Sequence, residues 1–176
     1  ISSRIAVDAN SNVYITGFFQ QTADFDPSAA IFNVTGPGPD DIFISKLDAS
    51  GNFVWAKAMG GATGSDRAYS IVIDASGNIY TTGSFDALAD FDPSAGTFNL
   101  TPVGSLDIFI SKLDGLGNFV CAKAIGGTSA DYGYSIAVDA SGNVYTTGSF
   151  SGTADFDLGA GTFNLTSAGA SPEIYV

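Results

Sequence analysis

DIFISKLDASGNFVWAKA, residues 41–58, reads as two short strands joined by a tight polar turn. Val, Ile and Phe dominate on either side, as strands prefer, and DASGN lies between them. The stretch returns 66 positions later as DIFISKLDGLGNFVCAKA, residues 107–124, and again as EIYV from Glu173 to the last residue, Val176. Recurrence at a fixed spacing marks a repeat architecture, and it outranks any single motif.

Other blocks keep the same spacing. IAVDANSNVYITG starts at Ile5, IVIDASGNIYTTG at Ile71 and IAVDASGNVYTTG at Ile136, offsets of 66 and 65. DFDPSAA, DFDPSAG and DFDLGAG start at Asp24, Asp90 and Asp155 with the same offsets. The chain divides into one repeat domain over residues 1–176, with copies at 1–66, 67–131 and 132–176, the last truncated. Gly and Pro interrupt the chain too often for a helix, and no apolar stripe at helical spacing is present.

Each copy holds two hairpins with one turn grammar. Residues 48–52, 74–78 and 139–143 read DASGN, residues 114–118 DGLGN and residues 8–12 DANSN. The leading Asp accepts bonds from backbone N–H groups ahead of it, and the Gly supplies a left-handed residue before a bulge. Ser11 stands where the other copies have Gly, so that turn is expected to be strained or differently shaped. By alternation, Ile42 and Ile44 face one way and Phe43 and Leu47 the other, while Phe53 and Trp55 oppose Val54, Ala56 and Ala58. Both faces are apolar, as in sheets stacked face to face.

Residues 84–106 form a 23-residue connection, long for a bare loop, and read as a small inserted hairpin. Without it 43 residues of the repeat remain, the size of a four-stranded propeller blade. The predicted strands are 70–74, 78–85, 107–114 and 118–125. The fold expected is therefore all-β: β-propeller-type four-stranded blades, about 2.6 tandem copies, too few to close a ring.

IAVDASGNVYTTGSF, DFDPSAGTFNLT and DIFISKLDASGNFVWAKA, in that order, resemble the bacterial β-propeller repeats labelled seven-bladed, or SBBP, repeats. LDASGNFVW alone is similar to the blade ending of quinoprotein-type propellers. The resemblance implies secreted or surface-attached proteins, often large and modular, with no shared catalytic site, so it carries over no functional residue. Cys121 departs from it by standing where Trp55 stands.

Composition excludes several functions. There are 18 acidic and 6 basic residues, a net charge of −12, which argues against nucleic acid and anionic membranes and suits a cation or solubility. No apolar run is long enough for a membrane span, and no leader-like N-terminus precedes the repeat. The chain opens at Ile1 without Met, as a processed or partial sequence would. With no His, His-based triads and His-ligated zinc are excluded. One cysteine allows no internal disulfide.

The paired carboxylates Asp24 and Asp26, Asp90 and Asp92, and Asp155 and Asp157 are the candidate metal ligands. Residues two apart on an extended segment share a face, and carboxylates with nearby carbonyls suit Ca2+. The competing reading is that they cap a turn. The same pairs would serve a glycosidase only as acid and base across a cleft, and a motif present in every copy is better explained by structure. No copy is read as carrying acids that the others lack.

Asn33, Asn99 and Asn164 match the glycosylation acceptor pattern, against plain alternation with Asn and Thr outward and Phe32, Phe98 or Phe163 inward. Cys121 is expected to be a packed thiol, and Lys57 and Lys123 to guard the outermost strand. Tyr69 and Tyr134 fall in Gly-rich connections, where propeller ligands commonly bind.

The function expected is a non-enzymatic structural or adhesive module of an extracellular or cell-surface protein. Its partners would be other copies of itself, the rest of a longer chain, or a cell-surface protein or glycan. A strand-sharing filament and a carbohydrate-active propeller are the alternatives. The third copy, which stops before its outer strand, is expected to be finished by something outside these residues.

Overall fold

A computed structural model describes residues 1–169 and 172–176. These residues form seventeen strands and no helix. The first copy contains β1 (Ser2–Val7), β2 (Val13–Phe19), β3 (Thr22–Asp24), β4 (Asn33–Thr35), β5 (Asp41–Leu47) and β6 (Phe53–Met59). The second contains β7 (Arg67–Ile73), β8 (Ile79–Phe85), β9 (Ala89–Asp90), β10 (Asn99–Leu100), β11 (Asp107–Leu113) and β12 (Phe119–Gly127). The third contains β13 (Tyr132–Val138), β14 (Val144–Phe150), β15 (Thr153–Asp155), β16 (Asn164–Thr166) and β17 (Glu173–Tyr175). The strands expected at 70–74, 78–85, 107–114 and 118–125 are β7, β8, β11 and β12.

The first blade is the antiparallel sheet β1-β2-β5-β6, and the second is β7-β8-β11-β12. The third has three strands among the described residues, β13-β14-β17. The blades do not close into a ring. Between the second and third strands of each blade, β3-β4, β9-β10 and β15-β16 form the inserted hairpins.

The five turns share one hydrogen-bond pattern. In residues 48–52 the Asp48 carboxylate accepts from the Ser50 and Asn52 backbone N–H groups at 2.8 and 2.9 Å, and from the Asn52 amide at 2.9 Å. Asp8, Asp74, Asp114 and Asp139 repeat it. Gly51, Gly77, Gly117 and Gly142 have φ between 81° and 84°, and Ser11 has 63°. The DANSN turn therefore keeps the common shape, with the N–H of Ser11 donating to Asp8 O as that of Gly51 does to Asp48 O. Its difference is the strain of a side chain in the left-handed region.

Alternation holds through β5, but not through β6. A register shift between Lys46 and Leu47 pairs Leu47 with Phe53 and Lys46 with Trp55, leaving Val54 as the extra residue. Phe53 and Trp55 therefore face opposite ways, contrary to simple alternation, because a bulge resets the period. Trp55 joins the core between the first two blades.

That core unites the trailing face of the first blade (Tyr14, Ile42, Ile44, Met59) with the leading face of the second (Ile71, Ile79, Phe91, Phe109, Leu113). A smaller cluster, Ile108, Ile125, Phe150, Ala154 and Tyr175, joins the second blade to the third. Burial on both faces explains why every residue of β8 is buried.

Replacing Ser11 with Gly removes the left-handed penalty at that turn. Ser11→Gly should raise stability by about 0.5–1 kcal/mol. For a chain of this size that is a rise of roughly 1–4 °C in a thermal melt. A lower midpoint would show that the Ser11 side chain stabilises the turn.

Candidate interblade interfaces and the acidic cluster

The second and third inserted hairpins each attach to the blade before their own. Gly60, just beyond β6, donates its N–H to Asp90 O, and Asp90 N–H donates back to Gly60 O, both at 3.0 Å. At the next junction β15 pairs with the end of β12, with Gly126 opposite Asp155 and Gly127 opposite Ala154. Parallel bridges join Asp40 to Ser65 and Leu106 to Ala130. At the other end of the strands, Lys46 Nζ donates to Gly115 O at 3.3 Å, and a Cβ on Gly117 would lie 3.4 Å from the Trp55 ring. Trp55 thus packs toward the neighbouring blade's turn.

The paired aspartates sit in three separate hairpins. Asp90 Oδ1 accepts the Asp92 and Phe98 N–H groups at 3.0 and 2.8 Å, and Asp92 Oδ1 accepts the Ser94 N–H at 2.9 Å. Asp24 and Asp26, and Asp155 and Asp157, make the equivalent bonds. Backbone N–H bonds hold the Asp155 carboxyl below the ordinary carboxylate range. The Oδ1 atoms thus organise the turns. Among the described residues no three acidic or cysteine side chains gather in a metal-holding group.

A different set of acids is buried. Asp40, Asp41, Asp66, Asp107 and Asp131 are at most 3% exposed, and they lie where consecutive blades meet. Asp41 begins β5 and Asp66 precedes β7; Asp107 and Asp131 are their counterparts at the next junction. Asp41 Oδ2 accepts the Gly38 N–H at 2.9 Å, and Asp66 Oδ2 the Gly61 N–H at 2.8 Å. The Oδ1 atoms of Asp41, Asp66 and Asp107 have no hydrogen-bond partner. Asp40 accepts from Gln20 Nε2 at 2.7 Å and from Arg67 Nε at 2.8 Å, and it forms an ion pair with that guanidinium.

Burial raises the carboxyl pKa of Asp41, Asp107 and Asp131. Asp66 is pushed up to about 7, by burial first and then by the neighbouring charges of Asp41, Asp86 and Asp40. Sequence reading missed this set. Its signal was the recurrence of Asp41, Asp107 and Glu173, and of Asp66 and Asp131, at repeat spacing. The expectation that no copy has acids of its own is corrected: Asp40 stands opposite Leu106 and Pro172, and Asp86 opposite Gln20 and Ser151. Those differences sit beside strand residues that recur between the copies and are hidden by them.

Other singled-out residues fall as follows. Tyr69 and Tyr134 lie in β7 and β13 rather than in loops, with ring centroids 6.1 Å apart. Tyr69 lines a polar cavity of about 270 Å³ with Arg67, Ser84, Asp86 and Tyr132. Cys121 is exposed, correcting the packed thiol expected, because the trailing face of β12 borders an open groove. Lys57 and Lys123 are on the outermost strands β6 and β12. Asn33, Asn99 and Asn164 are exposed, but Phe32, Phe98 and Phe163 are not interior: they are 42%, 37% and 61% exposed. Phe32 and Phe98 instead pack at a tilt against Phe53 and Phe119, each pair with centroids 4.7 Å apart.

The β-propeller repeat SBBP matches residues 54–84 and 123–156. These two stretches are SBBP β-propeller repeats. Each match starts in the outermost strand of one blade and crosses the junction into the next, so the SBBP unit includes the interblade contact. The chain is also similar to an uncharacterized WD repeat-containing protein of Acanthamoeba polyphaga mimivirus, 27% identical over 183 residues. That similarity covers 90% of this chain and 13% of the relative's length. No helix among the described residues is long and apolar enough to cross a membrane.

A methyl group on Gly60 would collide with Asp41 Oδ1 and lie 2.9 Å from Asp66 Oδ2. Gly60→Ala should therefore cost about 2 kcal/mol or more in urea unfolding, whereas Gly169→Ala, with nothing within 4 Å, should change little. Equal effects would show that the junction yields freely.

Proposed function

We propose that the chain is a non-enzymatic structural module of an extracellular or cell-surface protein, and that its end faces bind further blades of the same repeat. The observation that carries this is a contrast between equivalent residues. Ile71, on the leading face of the second blade, is 5% exposed, and its counterpart Ile5 on the first blade is 61% exposed. Beside Ile15, the strand partner of Ile5, a cavity of about 280 Å³ is lined by Ile15, Phe25, Phe43 and Leu47, the counterparts of residues in and around the internal junction. An apolar sheet face of this kind, whose counterpart on the second blade packs against the first, suits another blade's trailing face. Head-to-tail contact of this sort is heterologous and extends into arrays or rings. The relative's greater length is consistent with a module of a larger protein.

A strand-sharing assembly has its own support. Beside β17 lies a groove of about 500 Å³ lined by Ile125, Tyr145, Phe163 and Tyr175 among others. Tyr145 is 53% exposed there, while its counterpart Tyr80 is 4% exposed. A strand from another copy would cover it.

Sedimentation velocity over a concentration series tests the proposal. The wild-type chain should associate as concentration rises, and Ile5→Asp should weaken that association without lowering the melting temperature. A monomer at every concentration up to the solubility limit would overturn it.

A further inference from the structure

The charge buried at the first junction needs a neutralising partner. Asp41 and Asp66 are both 0% exposed, and Asp41 Oδ1 and Asp66 Oδ2 both crowd the position that a Cβ on Gly60 would take. Each uses Oδ2 to accept one backbone N–H, and each keeps an Oδ1 with no partner. The groups that face them are known. Asp40 and Asp41 come from the start of β5, Asp86 from the end of β8, and Arg67 from β7, whose guanidinium is held by Asp40. Asp86 Oδ1 accepts the Ser65 N–H at 2.7 Å. Three carboxylates therefore surround Asp66, and the one nearby cation is engaged elsewhere.

Two ionised carboxylates cannot stay together in a dry site, and the remedies are a proton or a cation. Calcium needs six to eight oxygens, and this site offers two unpartnered carboxylate oxygens on residues with no exposed surface. A proton needs one donor and one acceptor.

We propose that Asp41 and Asp66 share one proton in the folded chain, so that the contact between the first two blades weakens as the pH rises. The proton sits on one of the two carboxyls and leaves the pair with a single negative charge. The upward displacement of both carboxyls, caused first by burial, agrees with this. The sign follows from linkage: a carboxyl whose folded pKa is raised keeps its proton when the unfolded chain has lost it. Its contribution is full below the unfolded value of 3.8 and is lost as the pH rises toward the folded value of about 7. The second junction has a weaker version, since Asp131 accepts from both Gly127 and Ser151 and only Asp107 Oδ1 is unpartnered. The inference concerns the internal junction and does not depend on what the end faces bind.

Urea unfolding of the whole chain from pH 5 to pH 8.5, in chelator, tests it. The wild-type unfolding constant should rise with pH by up to about tenfold per unit below pH 7. Asp66→Asn, which fixes the neutral form, should flatten that slope and be the more stable variant at pH 8. Parallel wild-type and variant curves would overturn the proposal. Carboxyl-carbon NMR of the wild type gives a reading free of any folding defect. One carboxyl of the pair should titrate far above the ordinary range, and two ordinary titrations would overturn it. Restoration of the wild-type midpoint at pH 8 by calcium, absent in Asp66→Asn, would show a cation in place of the proton and would equally overturn it.

Discussion

Backbone pairing between an inserted hairpin and the blade before it is the constraint on which the rest depends. A single repeat cannot bury its apolar faces alone, and its outermost strand leaves unpaired groups at the edge. The Gly60–Asp90 pair and the β12–β15 ladder occupy part of that edge and at the same time fix the next blade's position. With the hairpin clipped in place, Phe91 and Ala89 are carried into the interblade core beside Phe85 and Phe109. Repeat proteins owe their stability to such neighbour contacts rather than to any unit by itself.

The same pairing brings acids into a dry place. Gly60 must lack a side chain because the Asp41 and Asp66 carboxyls crowd the space its Cβ would take. The chain thus uses aspartate in two opposite ways. At the exposed turns, bonds from Asn52 and Asn143 hold the Asp48 and Asp139 carboxyls below the ordinary range, so that stability is lost as the pH falls through it. At the junctions, burial drives the pKa of Asp41, Asp66, Asp107 and Asp131 upward, the direction in which stability is lost as the pH rises, while Asp40, bonded to Gln20 and Arg67, is held low. Environment alone separates the two sets.

Most of the fold was legible because its signals are local or periodic. The DASGN turns carry their own hydrogen-bond partners within five residues, and the strands between them follow β propensity. The inserted hairpin was legible from its length and its DFDPSAG turn. Its attachment to the preceding blade was not, because that contact joins residues 30 apart through backbone atoms, which leave no side-chain pattern. The bulge at Val54 was hidden for a similar reason: strand alternation presumes an unbroken register. Cys121 was misjudged from its apolar neighbours in sequence, although its face of β12 borders an open groove. The buried acids looked like ordinary strand-end residues until the junction showed what surrounds them.

Hydrogen exchange of individual amides tests the dependence on this clip most directly. If the hairpin pairing is integral to the blade stack, the Gly60 and Asp90 amides should exchange with the same opening free energy as those in the middle of β8, because all open together. Exchange of Gly60 and Asp90 at the rate of an exposed loop, with β8 still protected, would contradict the account.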